Sequence, residues 1–176
     1  MYMNFNVLSE NELIRTWGVS ENPVVSVICC TYNQEIYIED ALKGFLSQKT
    51  NFKFEVIVQN DTSTDGTRGI LDRYAKEYPK VLRVFHHDEN QYSKGVKPSL
   101  LAIGRSKGEL IAMCEGDDYW IDPHKLQKQY DALQRHPGVD LCFHPAKEVR
   151  NEKIERMINS YFDEETIIPF ELVVEG

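Results

Sequence analysis

The residues best suited to chemistry in this chain are three acidic side chains that lie within four positions of one another. Glu115, Asp117 and Asp118 directly follow residues 110–114, an apolar run with the composition of a buried strand. Carboxylates this close repel one another unless a cation or a set of hydrogen-bond donors stabilises them. A Mg²⁺ ion held by one or two carboxylates and by the phosphate oxygens of a substrate is one such arrangement. An exposed acidic loop, with Asp118 beginning a turn, is the alternative that the cluster by itself leaves open.

Strand and helix patterns alternate along the chain around this cluster. Continuous apolar runs predict strands, and the amphipathic segments between them predict helices. The predicted strands are residues 24–30, 54–58, 81–86, 110–114 and 139–143, and the predicted helices are residues 37–48, 65–78, 98–105 and 122–135. This alternation predicts an α/β fold whose mostly parallel central sheet carries helices on both faces.

Three polar segments follow predicted strands: residues 31–33, residues 60–63 and residues 115–118. In parallel sheets, ligands bind at the carboxyl ends of the strands, close to the point where the strand order reverses. The common placement of the three segments favours a binding function for the acidic cluster over an ordinary exposed loop.

Composition excludes several classes of protein. The chain has 176 residues, which suits one domain with a hydrophobic core, and a formal charge of −8, which argues against general nucleic-acid binding. No apolar run approaches the roughly 18 residues that span a membrane, and residues 1–7 lack the features of a signal peptide. These observations predict a cytoplasmic protein.

The four cysteines lie in apolar runs without metal-ligand spacing, so we expect buried, reduced thiols.

Three spaced motifs resemble those of family 2 glycosyltransferases. Residues 25–28 with Thr31-Tyr32-Asn33 resemble the first strand and turn of that family. Residues 55–67 are similar to its second strand and its Asp-Asp-Gly-Ser-Thr-Asp-Gly-Thr loop. Residues 107–111 and the acidic cluster resemble its fourth strand and Asp-x-Asp element. The motifs occur in the family's order over about residues 24–146, which makes the resemblance specific.

The resemblance implies a Rossmann-like GT-A fold and a nucleotide-diphosphate sugar donor, with a UDP-sugar favoured. It implies Mn²⁺ or Mg²⁺ as cofactor and inverting transfer of the sugar to a glycan or lipid-linked acceptor. By analogy it also implies polysaccharide biosynthesis at the inner membrane face, with peripheral membrane association through a C-terminal region. The alternatives are a non-catalytic sugar-nucleotide-binding or assembly module and a sugar-nucleotide pyrophosphorylase. The pyrophosphorylase requires a glycine-rich loop after the first strand, and residues 29–34 contain no glycine.

The resemblance also implies roles for individual residues. The residues expected at the nucleotide are Cys30, Thr31, Tyr32, Asn33, Asp61, Glu115 and Gly116. Asp117 is the expected direct metal ligand, and Glu115 approaches the ribose or reaches the metal through water. Asp118 and Lys97 are expected at the donor sugar and diphosphate.

Two of these assignments have structural alternatives. Asp61 matches the residue that contacts the base, where its carboxylate would accept the imide N–H of uracil, but it could instead close its own loop. Asn33 could likewise stabilise its turn. Tyr119 and Trp120 are more typical of packing than of sugar contact.

The chain departs from the family pattern in two places. Residues 94–100 lack the Arg-Asn pair that the family carries before its fourth strand. Residues 140–176 present no motif for the general base that inverting transfer needs, and Asp163, Glu164 and Glu165 look like a turn or a helix start. We therefore expect the base beyond Gly176. The predicted organisation is a leader with a short helix (1–23), a nucleotide-sugar-binding core (24–146) and the truncated start of an acceptor-side region (147–176).

Overall fold

The computed structural model describes residues 5–150, 153–158 and 165–168. The chain divides into two compact units, with the boundary between Asp131 and Ala132. The helices are α1 (Glu10–Arg15), α2 (Ile38–Leu46), α3 (Thr67–Glu77), α4 (Pro98–Ile103) and α5 (Lys125–Arg135). The strands are β1 (Val25–Thr31), β2 (Phe54–Asn60), β3 (Leu82–His86), β4 (Leu110–Met113), β5 (Ala146–Arg150) and β6 (Lys153–Ile158). A short 3₁₀ turn, Tyr92–Lys94, lies between β3 and α4.

The first unit is built on a four-stranded parallel sheet in the order β3-β2-β1-β4. β1 and β2 are inner strands, which explains why their sequences are apolar with little alternation. After β3 the chain crosses to the other side of β1, so the strand order reverses between β1 and β4. The predicted α/β fold is confirmed, and its switch point lies beside the acidic cluster.

Helices cover both faces of the sheet. On one face, the predicted apolar side of α2 is fully buried against β1 and β2, and Leu71 of α3 and Leu126 of α5 join the same core. The buried residues of α2 include Ile38, Ala41, Leu42 and Phe45. On the other face, Ala102 of α4 packs in a smaller cluster with Ile28 and Ile57. The burial of these apolar side chains is the main force that holds the strand ends in place.

The ends of several elements are fixed by side-chain oxygens. Ser9 and Glu12 form a reciprocal capping box at the start of α1, the short helix predicted in the leader. The N-cap of α3 is Gly66, and the preceding residue, Asp65, accepts a hydrogen bond from the N–H of Thr67 at 3.0 Å. Asp122 accepts one from the N–H of His124 at 2.8 Å, and α5 begins at Lys125 instead of the predicted position.

The predicted fifth parallel strand at residues 139–143 is wrong. The structure shows no strand at these residues, and the side chains of Leu141 and Phe143 are exposed. A strand needs a paired neighbour, and in the second unit the pairing is made by β5 and β6, which form an antiparallel hairpin. The apolar run was therefore too short a signal to predict pairing. The sequence of residues 154–162 is compatible with either a helix or a strand, and the structure shows a strand as far as Ile158. The rest of that segment and the apolar residues 169–174 lie outside the described residues.

Candidate functional site

Two loops at the carboxyl end of the sheet are joined by reciprocal hydrogen bonds. Loop A, residues 31–37, begins with the last residue of β1, and loop B, residues 60–67, runs from the last residue of β2 to the first residue of α3. The hydroxyl of Ser63 accepts a hydrogen bond from the N–H of Asn33 at 2.9 Å, and the side-chain oxygen of Asn33 accepts one from the N–H of Thr64 at 2.7 Å. Asp65 accepts a further bond from the N–H of Glu35 at 3.1 Å. Asn33 thus joins loop A to loop B, and its predicted contact with the nucleotide stays a prediction.

Both loops contain a residue with left-handed backbone geometry. Asn33 has a φ of 52° and Thr62 a φ of 69°. Asn adopts this region readily, but a β-branched residue there is a true outlier. The hydroxyl of Thr62 is also buried without a hydrogen-bond partner in the described part of the chain. Loop B therefore carries local backbone strain at Thr62. The family motif that this loop resembles has glycine at the same position.

Replacing Thr62 with glycine should stabilise the protein by about 1 kcal/mol, because glycine adopts a positive φ without steric cost. The entropy of the unfolded chain offsets part of the gain. Urea denaturation monitored by circular dichroism measures the difference. Thr64→Gly is the matched control, and it should destabilise the protein because Thr64 lies outside the left-handed region. A loss of stability in Thr62→Gly as large as in the control would contradict the interpretation.

The acidic loop, residues 114–120, is held in register with β1 by backbone hydrogen bonds. The N–H of Cys114 donates to the carbonyl of Ile28 at 3.1 Å, and the N–H of Gly116 donates to the carbonyl of Cys30 at 3.0 Å. The parallel ladder thus continues past the end of β4. A Cβ atom on Gly116 would lie 2.4 Å from the side-chain oxygen of Gln34 and 2.9 Å from the Cβ of Thr31. Only glycine permits this close approach of the acidic loop to loop A.

The three acidic residues of this loop are exposed and electrostatically coupled. Partial desolvation, followed by repulsion from Asp117 and Asp118, raises the pKa of Glu115. Partial desolvation and repulsion from Asp117 raise the pKa of Asp118. Desolvation and the charges of Glu115 and Asp61 raise the pKa of the neighbouring Cys30 thiol to about 12. A bound cation would relieve this repulsion.

The donor set fits a divalent ion that a ligand helps to coordinate. Among the described residues, no three His, Cys, Asp or Glu side chains are arranged to hold a metal ion by themselves. Mg²⁺ typically takes one or two carboxylates and fills its other positions with water and phosphate oxygens. Glu115 and Asp117 match that requirement.

Asp118→Asn should raise the melting temperature of the metal-free protein at pH 7 more than near pH 4. The pKa of this carboxyl group is higher in the folded protein than in the unfolded chain. At a pH below the unfolded pKa the group is neutral in both states and does not change the free energy of unfolding. As the pH rises through the folded pKa, its ionisation destabilises the folded protein. The amide mimics the neutral form at every pH. Thermal unfolding in EDTA at both pH values tests this, and an equal change at both would show that charge is not the cause.

Asp61 anchors a third segment at this edge of the sheet. Its side chain is almost fully buried, with one oxygen accepting the N–H of Gln91 at 2.6 Å and the other the N–H of Tyr92 at 3.0 Å. Its own N–H donates to the carbonyl of Thr31 at 2.9 Å. Sequence patterns did not predict this tether, because the acceptor and the donors are about 30 residues apart. A carboxylate has about four acceptor positions, and the two backbone donors occupy one on each oxygen of Asp61.

The predicted residues Tyr32 and Lys97 are both exposed, whereas Arg105, for which no role was predicted, packs against the sheet. Tyr32 is about half exposed, in loop A. Lys97 is exposed at the N-cap of α4. Arg105 stacks on Phe85, with its guanidinium carbon 4.3 Å from the ring centroid, and donates to the Gln59 side chain at 2.7 Å. Arg105 is therefore held against the sheet.

The aromatic residues after the acidic cluster are packing residues, as predicted. Trp120 is buried, with its ring 4.9 Å from that of Phe45, and Tyr119 meets Phe5 edge to face. In the second unit, Glu165 pairs with Arg135 and with His136, and its pKa is lowered by these hydrogen bonds. Asp163 and Glu164 lie outside the described residues.

Comparisons of the sequence and of the structure with known proteins both match glycosyltransferases. The profile of the family described as Glycosyl transferase family 2 matches residues 26–173. The putative teichuronic acid biosynthesis glycosyltransferase TuaG of Bacillus subtilis is 37% identical over 111 residues, which are 63% of this chain and 42% of TuaG.

Two solved structures resemble the chain. TarS 1-349 of S. aureus in complex with UDP is 33% identical with a TM-score of 0.55, over 64% of this chain and 32% of TarS. The mannosyltransferase PcManGT of Pyrobaculum calidifontis, in complex with GDP-Man and Mn²⁺, is 25% identical with a TM-score of 0.56, over 77% of this chain and 37% of that protein. The chain spans about two fifths or less of the curated relatives that it matches. No helix in the described ranges is both long enough and apolar enough to cross a membrane.

Proposed function

The chain belongs to glycosyl transferase family 2, and we propose that its first unit binds the nucleotide diphosphate of a sugar donor with a divalent metal ion. The observation that carries this proposal is the meeting of loop A, loop B and the acidic loop at the switch point of the sheet. A backbone bond joins Asp61 of loop B to Thr31 at the end of β1, and another joins Gly116 of the acidic loop to Cys30 of β1. Carboxyl ends at a switch point are where such sheets bind ligands.

In this proposal the acidic loop binds the diphosphate through the metal. Asp117, the central acidic residue, is the direct ligand, and Glu115 assists it from the side facing Cys30. The metal, Mn²⁺ or Mg²⁺, supplies charge neutralisation for the diphosphate. The complex of PcManGT with GDP-Man and Mn²⁺ supports a metal, and the raised pKa of Glu115 supports a site that favours a cation. Asp118 and Lys97 are assigned to the donor sugar and the diphosphate.

The nucleoside is assigned to loop A and loop B. The backbone of residues 30–33 would border the base, and Tyr32 is exposed where an aromatic ring could contact it. The carboxylate of Asp61 would accept the N–H of uracil beside its two backbone donors. The UDP complex of TarS supports a uridine nucleotide. The whole protein would then transfer the sugar, with inversion, to a glycan or lipid-linked acceptor, for which the name of TuaG is the support.

Calorimetry with UDP, in Mn²⁺ and in EDTA, tests the proposal. We expect binding that is at least about tenfold tighter in Mn²⁺, because the metal links the diphosphate to the carboxylates. GDP serves as the comparison ligand and should bind more weakly, since guanine presents different donors and acceptors to Asp61. An absence of UDP binding in both conditions would refute the donor site.

A further inference from the structure

Asn60, the last residue of β2, connects the proposed donor site to helix α3 through His86 of β3. Its side chain is buried, and both ends of the amide are hydrogen-bonded. The oxygen accepts the N–H of Ser63 at 3.1 Å, and the nitrogen lies 2.9 Å from Nδ1 of His86 on β3. Nε2 of His86 lies 3.0 Å from a carboxylate oxygen of Asp72 on α3. The four residues form one continuous chain of hydrogen bonds.

The backbone of Ser63 determines the proton positions along this chain. A backbone N–H can only donate, so the Asn60 atom that faces Ser63 must be the oxygen. The nitrogen of the Asn60 amide therefore faces His86, where it can only donate. Nδ1 of His86 must then be an unprotonated acceptor, and the ring proton lies on Nε2, from which it donates to Asp72.

The same series of hydrogen bonds extends into both loops of the proposed site. The hydroxyl of Ser63 accepts the N–H of Asn33 at 2.9 Å, so loop A is connected to Asp72 through three side chains and one backbone amide. The two left-handed residues, Asn33 and Thr62, lie next to these bonds. A strained backbone persists only where its surroundings hold it, and these bonds are part of that support.

We propose that Asp72, His86 and Asn60 are positioning residues that hold loops A and B in the donor-binding geometry, and that protonation of His86 releases them. The proposal rests on the proposed function, because it concerns the same nucleotide site. A protonated imidazole donates from both nitrogens, so its Nδ1–H would face the N–H of Asn60. If the Asn60 amide turned to accept that proton, its nitrogen would face the N–H of Ser63. Either orientation sets two donors against each other.

Two charged side chains and a second histidine surround His86. Asp72 on α3 lies 3.0 Å from Nε2 of His86, and Nε of Arg68 lies 3.9 Å from the second oxygen of Asp72. The neighbouring His87 bonds to Gln59 through Nε2 at 2.8 Å, so its ring is paired separately. Asn60 is neutral. The family motif that loop B resembles has aspartate at position 60. An aspartate there would accept a hydrogen bond from the protonated ring.

The decisive experiment compares the pH dependence of UDP binding in the wild type and in Asn60→Asp, by calorimetry in Mn²⁺. Lowering the pH from about 7.5 to about 5.5 should weaken wild-type binding by about fivefold more than it weakens Asn60→Asp, the equivalent of one net hydrogen bond. Protonation of the acidic loop affects both proteins and cancels in the comparison. His86→Gln, which cannot titrate, should resemble Asn60→Asp in slope. Equal slopes in the wild type and Asn60→Asp would overturn the proposal.

A second measurement needs neither a variant that folds well nor a bound nucleotide. Nitrogen NMR of the uniformly 15N-labelled wild type at neutral pH should show His86 with its proton on Nε2, and the Ser63 amide signal should shift as the pH is lowered and the His86 ring signals change. We call the hydrogen bonds from Asp72 through His86 and Asn60 to Ser63 the relay. A proton on Nδ1, or a Ser63 amide that does not respond, would disprove the relay even if UDP binds. If the relay behaves as expected and UDP does not bind, the proposed function fails while the hydrogen-bond relay stands.

Discussion

Replacing Asp117 with alanine should lower the affinity for UDP in Mn²⁺ by about 100-fold, because the variant loses the carboxylate proposed as the direct metal ligand. Asp117 is exposed in the acidic loop, and the Gly116 bond to Cys30 fixes the loop that carries it. The bonds that hold this loop to β1 are made by backbone atoms, so the fold should persist. Isothermal calorimetry measures the affinity, and thermal unfolding confirms that the variant is folded.

Two comparisons make the result specific to metal. In EDTA, Asp117→Ala and the wild type should bind UDP with similar affinity, because the lost carboxylate acts through the ion. Asp40→Ala on α2 is the matched control, since Asp40 is exposed and its ion pair with Lys43 is long, at 3.9 Å. Its UDP affinity should be unchanged. If Asp117→Ala kept the full effect of Mn²⁺, the assignment of the metal ligand would be wrong.

Gly108→Ala should destabilise the protein by about 3 kcal/mol, a decrease of roughly 10 °C in melting temperature. A Cβ at this position would lie 2.5 Å from the backbone nitrogen of Ser26 and 2.7 Å from the carbonyl carbon of Val25. Both atoms belong to β1, whose backbone is held by β2 on one side and β4 on the other, so neither can move freely. The bond from the N–H of Gly108 to the Ser26 hydroxyl, 2.9 Å long, would be strained as well.

Gly69→Ala is the control for this prediction. Gly69 lies inside α3, and a methyl group added there would meet no atom within 4 Å, so alanine should stabilise the helix by about 0.5–1 kcal/mol. Urea denaturation of both variants gives the two free energies of unfolding. Similar values for Gly108→Ala and Gly69→Ala would mean that the β1 backbone accommodates the methyl group without cost.

The sequence predicted those parts of the fold that depend on local apolar patterns. The predicted face of α2, from Ile38 to Phe45, is buried because a 3.6-residue period leaves one stripe to meet the sheet. The inner strands β1 and β2 were predicted for a similar reason, since strands buried on both faces are apolar throughout. The edge strands β3 and β4 are only partly buried, and they were predicted from their short apolar runs. The strand predicted at residues 139–143 failed because a short apolar run does not identify a pairing partner.

The arrangement of the site was predicted only in part. Strand-end position was enough to bring residues 31–33, 60–63 and 115–118 together. The tether from Asp61 to the N–H groups of Gln91 and Tyr92 was not predictable, because it joins two loops through backbone donors that any sequence provides. The relay through His86 was missed for a related reason. Adjacent histidines in a sequence give no indication that one faces Asn60 and the other Gln59.

The thiol of Cys30 has a practical consequence for chemical probes of this site. A pKa of about 12 leaves almost no thiolate at neutral pH, so alkylating reagents should react slowly with Cys30 despite its position beside the acidic loop. One cause of that high value is the charge of Glu115. A cation bound near Glu115 would therefore make the thiolate easier to form, and the alkylation rate of this cysteine would report on metal occupancy without any nucleotide or sugar acceptor.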